Sequence, residues 1–127
     1  MMRRRWRVTW AVAVLVVAGG ALLLRSATRE ALPFEAARWQ HPDEGLVRGK
    51  SLRQRMLADL LRRPLVGLPR DSVERMLGPA PMVGFFGAWD MAWWLGPSRR
   101  YVSLGSEWLT IKFDSTGRVA RYAVLPD

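Results

Sequence analysis

Apolar and polar positions fall into three regimes along the chain. Residues 8–24 are apolar throughout apart from Thr9, a run of 17 closed by Arg25. At 1.5 Å per residue this covers about 25 Å, close to the shortest helix that crosses a bilayer. The run predicts a nearly upright transmembrane helix, with Arg7 and Arg25 snorkelling and Trp6 and Trp10 at the interface. Residues 26–49 mix Ala, Glu, Arg and Pro without sustained periodicity. They predict a linker: 27–38 continues the helix up to an interruption at Pro33, and 39–45 is loop. From residue 50 onward the pattern becomes regular, which predicts one small domain over 50–127.

Within that domain the first period is helical. Leu52, Met56 and Leu60 recur with Leu57 and Leu61 beside them, and Ser51 with Gln54 forms a capping box, so a helix is expected over 51–63. Pro64 stops it. Leu65, Val66, Gly67 and Leu68 form an apolar turn, and Pro69 opens a second short helix with Val73, Met76 and Leu77 on one face. Asp71 and Glu74 favour its N-terminus, while Gly78 and Pro79 end it.

Beyond residue 79 the period changes to two. Residues 79–88 are rich in Pro and Gly and read as loop; 89–95 is expected to be a strand, 96–100 a turn, and 101–104 a short strand or loop. The last hairpin is the clearest element. Leu109, Ile111 and Phe113 alternate with Trp108, Thr110 and Lys112, and Asp114 to Gly117 supply a tight turn before a closing strand over 118–125. The first set should face the helices. The expected fold is α+β: two helices packed on one face of a three- to four-stranded antiparallel sheet, preceded by an N-terminal transmembrane helix.

Charge refines the picture at the N-terminus. The formal net charge is +9, but Arg3, Arg4, Arg5 and Arg7 all precede the apolar run, and residues 26–127 carry 15 basic against 11 acidic side chains. The positive-inside rule puts the N-terminus in the cytoplasm and the domain in the periplasm or exterior of a single-pass inner-membrane protein. The competing reading is a cleaved signal peptide. However, Leu22, Leu23 and Leu24 follow the small residues 18–21 directly, and a cut near Ala27 would put Arg25 where a small residue is wanted. The overall basicity does not point to nucleic acid, which calls for a clustered basic face.

Several chemistries are excluded or disfavoured. The chain has no cysteine, which removes disulfides, thiolate sites and bacterial lipoprotein acylation, and its single histidine, His41, disfavours zinc and histidine catalysis. Gly45 to Ser51 superficially resembles a phosphate-binding loop, but Gly45 and Gly49 are one residue too close and no buried strand precedes them. The carboxylates Asp59, Asp71, Glu74, Asp90, Glu107 and Asp114 are accounted for by caps, turns and solvent-facing positions. No cofactor, metal site or catalytic residue is expected.

Tryptophan is the unusual residue: five of seven lie at 39, 89, 93, 94 and 108. Neighbours in a strand point to opposite faces, so one of Trp93 and Trp94 should lie on the outer face of the sheet near Trp108. With Arg99 and Arg100, the set Trp93, Trp94 and Trp108 forms the candidate partner surface. The bland alternative is a ring merely shielded by arginine stems such as Arg121 or Arg100. Arg62, Arg63 and Arg70 are candidate contacts for anionic lipid.

The order of motifs resembles the SmpA/OmlA family, which includes the small lipoprotein of the outer-membrane β-barrel assembly machine. The likeness runs through Leu65-Val-Gly-Leu-Pro-Arg-Asp-Ser-Val-Glu-Arg-Met-Leu-Gly-Pro-Ala-Pro81, then Trp89-Asp-Met-Ala-Trp-Trp-Leu-Gly96, Trp108-Leu-Thr-Ile-Lys-Phe-Asp114 and Gly117-Arg-Val119. Residues 55–60 also resemble an uncharacterised set of small bacterial proteins. The resemblance covers about residues 50–125. It implies two helices on an antiparallel sheet, similar also to the repeats of a secreted β-lactamase inhibitor protein, and function by binding proteins or, for the assembly-machine member, anionic lipid. Two departures stand out: the lipid-bearing cysteine is missing, and Pro69 replaces a hydroxyl helix cap. The expectation is a membrane-anchored envelope protein with a non-catalytic binding or scaffolding domain and a protein partner; the alternative is a module for anionic lipid surfaces.

Overall fold

The computed structural model describes residues 30–43, 45–80, 86–98 and 105–127. The folded unit is Leu32–Asp127. Among the described residues, three helices, α1 (Ala36–Gln40), α2 (Leu52–Leu61) and α3 (Arg70–Leu77), precede three strands, β1 (Met91–Pro97), β2 (Ser106–Phe113) and β3 (Val119–Pro126). The strands form an antiparallel meander in the order β1-β2-β3. The α+β layout is as the pattern predicts. The segment expected to cross the membrane lies outside the described residues; among those, no helix is long and apolar enough to do so.

The capping box at the start of α2 forms in full. Gln54 N–H donates to Ser51 Oγ at 3.1 Å, and Ser51 N–H donates to Gln54 Oε1 at 3.0 Å. Leu52, Met56, Leu57 and Leu60 then share the buried face. Just upstream, Val47 and Lys50 exchange main-chain hydrogen bonds across Arg48 (φ 51°) and Gly49 (φ 77°), a tight hairpin turn and not a phosphate cradle. Pro69 is the N-cap of α3 and has no capping side chain. In the first turn Arg70 N–H donates to Gly117 O at 3.1 Å and Ser72 N–H to Pro69 O at 3.0 Å. Gly78 ends α3 at φ 78°, a left-handed value that suits glycine.

The clearest departure from expectation lies upstream of residue 50. The folded unit begins at Leu32, and what reads as linker is its first layer. Phe34 is buried and Trp39, on α1, is fully buried; their rings meet at 5.8 Å. Leu32 N–H bonds Arg55 O, and Phe34 N–H bonds Asp59 Oδ2, so the segment is clipped along α2. Gln40 Nε2 donates to Arg75 O and Met76 O, closing the last turn of α3. Two rings and a helix C-cap therefore come from residues without recognisable periodicity.

The core lies between the helices and one face of the sheet. Met91, Trp93 and Leu95 from β1 and Leu109, Ile111 and Phe113 from β2 meet Trp39, Met56, Leu60, Val73 and Leu77 there. Tyr122 and Val124 extend that face on β3. The expected inward set of β2 is the observed one, and Leu77 and Ile111 are both buried. Strand β1 begins at Met91, two residues after the expected start, because Asp90 and the turn at 87–88 precede it.

Candidate functional site

Alternation along β1 settles which tryptophan faces out. Trp93 is fully buried, and its Nε1 donates to Gly78 O at 3.3 Å. It belongs to the core and is removed from the candidate surface. Trp94 lies on the opposite face and is half-buried. Register places Trp94 beside Trp108 and Trp108 beside Leu125, so three large apolar side chains form one row across the sheet. The next row is small: Ala92, Thr110 and Ala123.

Trp108 is more tightly held than a free surface ring. Its Nε1 donates to Asp127 Oδ2 at 3.1 Å, and Phe86 packs edge-on against it at 5.9 Å. Asp127 also accepts from Ser106 N–H at 2.7 Å, and that main-chain bond is the chief cause holding its carboxyl below the usual range. Trp94, by contrast, has no stacking or side-chain hydrogen-bond partner among the described residues.

Arginine shielding occurs, though on a different ring. The Arg121 guanidinium lies over Trp89 at 4.9 Å. Trp89 in turn lines a cleft of about 370 Å³ with Arg70, Glu74, Pro79, Ala80, Asp90 and Met91. The Asp90 carboxylate accepts from Phe113 N–H at 2.8 Å and Lys112 Nζ at 3.3 Å, and these hydrogen bonds, the first above all, depress its pKa. Asp90 is thereby committed to tying the β1 start to the β2 end. Phe86 falls in a stretch with no period from which to read a direction, and Trp89, expected as the first residue of the strand, instead precedes it.

The arginine candidates separate. Arg99 and Arg100 lie outside the described residues. Arg62 and Arg63 sit at the end of α2, where Arg63 pairs with Asp59 at 3.6 Å and lies over Phe34 at 5.1 Å. Arg70 opens α3 and lies over Phe113 at 4.6 Å. All three are exposed.

Two further carboxylates are held by hydrogen bonds. Asp59 accepts from Phe34 N–H and Arg63; Asp114 accepts from Thr116 and Arg118 within the β2–β3 turn. Among the described residues no group of three or more acidic or histidine side chains could hold a metal ion. No family model, curated protein or solved structure matches the chain.

Proposed function

We propose that this chain is a membrane-anchored bacterial envelope protein whose folded unit is a non-catalytic binding or scaffolding domain. In this reading residues 8–24 span the inner membrane, the N-terminus is cytoplasmic, and the outer face of the sheet receives a protein partner. The supporting observation is the row Trp94, Trp108 and Leu125, three large half-exposed apolar side chains on the sheet face opposite the helices. Exposed tryptophan side chains are among the usual anchors of protein contacts. The likeness of 50–125 to the SmpA/OmlA family, whose members act by binding, supports the same reading.

Trp94 is the residue to test. Trp94→Ser removes a ring with no hydrogen-bond partner, so thermal melting should change little. Site-specific photocrosslinking from position 125, half-exposed at the other end of the same row, should lose its captured protein in intact envelopes, equivalent to about 1 kcal/mol or more of binding. Unchanged capture would move the contact surface elsewhere. The anchor is tested separately: the full chain should stay with membranes through an alkaline carbonate wash, and release of a soluble product beginning near residue 22 or 28 would identify a signal peptide.

One observation favours the lipid alternative. Val66, 60% exposed, projects from the α2–α3 loop between Arg62, Arg63 and Arg70. Binding to anionic vesicles that falls steeply with added salt, and weakens on Arg62→Ala with Arg63→Ala, would favour it.

A further inference from the structure

The two edges of the sheet are finished differently. Along β1 the outward carbonyls are taken by the first turn of α2: Arg53 Nη1 donates to Trp94 O at 2.8 Å, Ser51 Oγ to Leu95 O, and Gln54 Nε2 to Pro97 O at 2.8 Å. The beginning of β3 is also covered, because Val119 exchanges main-chain hydrogen bonds with Gly67 and Leu68. The rest of β3 is not. Asp127 N–H donates to Ser106 O, and the register from Ser106 to Lys112 is unbroken. Antiparallel alternation then turns the main chain of Ala123 and Leu125 toward β2, and that of Tyr122, Val124 and Pro126 toward the open side. Among the described residues no hydrogen bond reaches the outward groups of Tyr122 or Val124.

Natural edge strands are commonly protected by a lysine, a bulge or a proline at mid-strand. Here the only bulge is at the start, where two residues of β3 face Phe113, and the only proline is Pro126 at the end. Between them lie Tyr122, Ala123, Val124 and Leu125, apolar and half-exposed. The open stretch is bounded by the Gly67–Leu68 segment at Val119 on one side of Ala123 and by Pro126 on the other, and an antiparallel copy of the same stretch fits that window.

We infer that β3 is a pairing edge for a second copy of this chain, joining two sheets about a two-fold axis at Ala123. In this register Tyr122 and Val124 of each copy exchange main-chain hydrogen bonds with Val124 and Tyr122 of the other. The small side chains of the two Ala123 residues meet at the axis. Arg121 stands opposite Leu125 of the other copy, and beyond them the Gly67–Leu68 segment already holds the edge at Val119, so the pairing is confined to 121–125. Pro126, which lacks an N–H, marks the end of pairing. A two-fold contact of this kind closes on itself and does not propagate into a fibre.

Because the chain has no cysteine, single substitutions report the register directly. The two Ala123 form a non-hydrogen-bonded pair with Cα atoms about 4.5 Å apart, inside the range a disulfide spans. The full chain in detergent micelles should sediment as a dimer, and Ala123→Cys should become mostly covalent dimer under mild oxidation. Arg121→Cys should stay monomeric on denaturing gels, since its two copies are about 13 Å apart, yet should link when mixed with Leu125→Cys. Val124→Pro removes an N–H the fold does not use and should give a monomer with the parent circular-dichroism spectrum. A chain that is monomeric throughout would overturn the inference. So would Ala123→Cys linking no faster than Arg121→Cys, or a dimer that survives in folded Val124→Pro. If Val124→Pro does not fold, the comparison of Ala123→Cys with Arg121→Cys decides alone.

Discussion

Gln54 serves three elements with one amide. Its Oε1 accepts from Ser51 N–H, and its Nε2 donates to Pro97 O and, at 3.3 Å, to Glu107. The amide fits only because residue 96 is glycine: a Cβ there would overlap Gln54 Oε1. Gln54→Ala should therefore cost about 1–3 kcal/mol, the price of leaving buried polar groups unpaired. Gly96→Ala should also destabilise, by displacing the amide. The informative measurement is the double variant. Once Gln54 is alanine the space beside Gly96 is free, so the two losses should sum to more than the double variant shows in chemical denaturation. Full additivity would mean that the glycine is needed for something other than this contact.

The carboxylates act by similar local bonding. Asp59, Asp90, Asp114 and Asp127 all have pKa values lowered from the ordinary 3.8, chiefly by hydrogen bonds. A depressed folded pKa stabilises the fold above the unfolded value, and the contribution disappears as pH falls through the folded one. The melting temperature should be level near neutrality and decline as pH drops below about 4. Asp90→Asn, which keeps an acceptor for Phe113 N–H but cannot titrate, should lower the neutral-pH melting temperature and make that decline shallower.

Among the elements, α1 contributes far more than its five residues suggest. Trp39 is fully buried, its ring contacted by Phe34 and by the Arg53 guanidinium at 5.4 Å. Arg53 also donates to Trp39 O and Trp94 O, which ties α1 to the edge of β1 through one side chain. Trp39→Ala should cost about 3–5 kcal/mol. Leu77→Ala or Ile111→Ala should each cost about 2–5 kcal/mol, read as a fall in melting temperature. A fragment starting at residue 42 should lose cooperative melting, whereas one starting at residue 30 should keep it.

These elements also show what a sequence reveals. The capping box, the stop at Gly78 and the β2–β3 hairpin are local, each declared by a few adjacent residues, and all appear where expected. Segment 32–40 is too short for a helical period to emerge and is interrupted by Pro33, so only its burial identifies it. The choice between Trp93 and Trp94 depends on strand phase. That phase was ambiguous because Met91 to Leu95 are all apolar, so no alternation marks the inward side. The outer row of Trp94, Trp108 and Leu125 was half-legible: Trp108 follows from its own alternation, but Phe86 and Asp127 reach it from loop and terminus.

At the scale of the whole molecule, the order in which contacts meet a load follows from the way residues 32–40 lie along the helices. Leu32 to Arg55, Phe34 to Asp59, the Trp39 ring and Gln40 to α3 are fastened in succession along the chain. A pull applied ahead of Leu32 would meet these fastenings one at a time, as a zipper is opened. The hydrogen bonds between β2 and β3 lie beyond them and would not share the load until the first layer had peeled away. Mechanical resistance and thermal stability are thus separable in this fold: the first peeling step should need little force, yet it uncovers a core that thermal melting finds well packed.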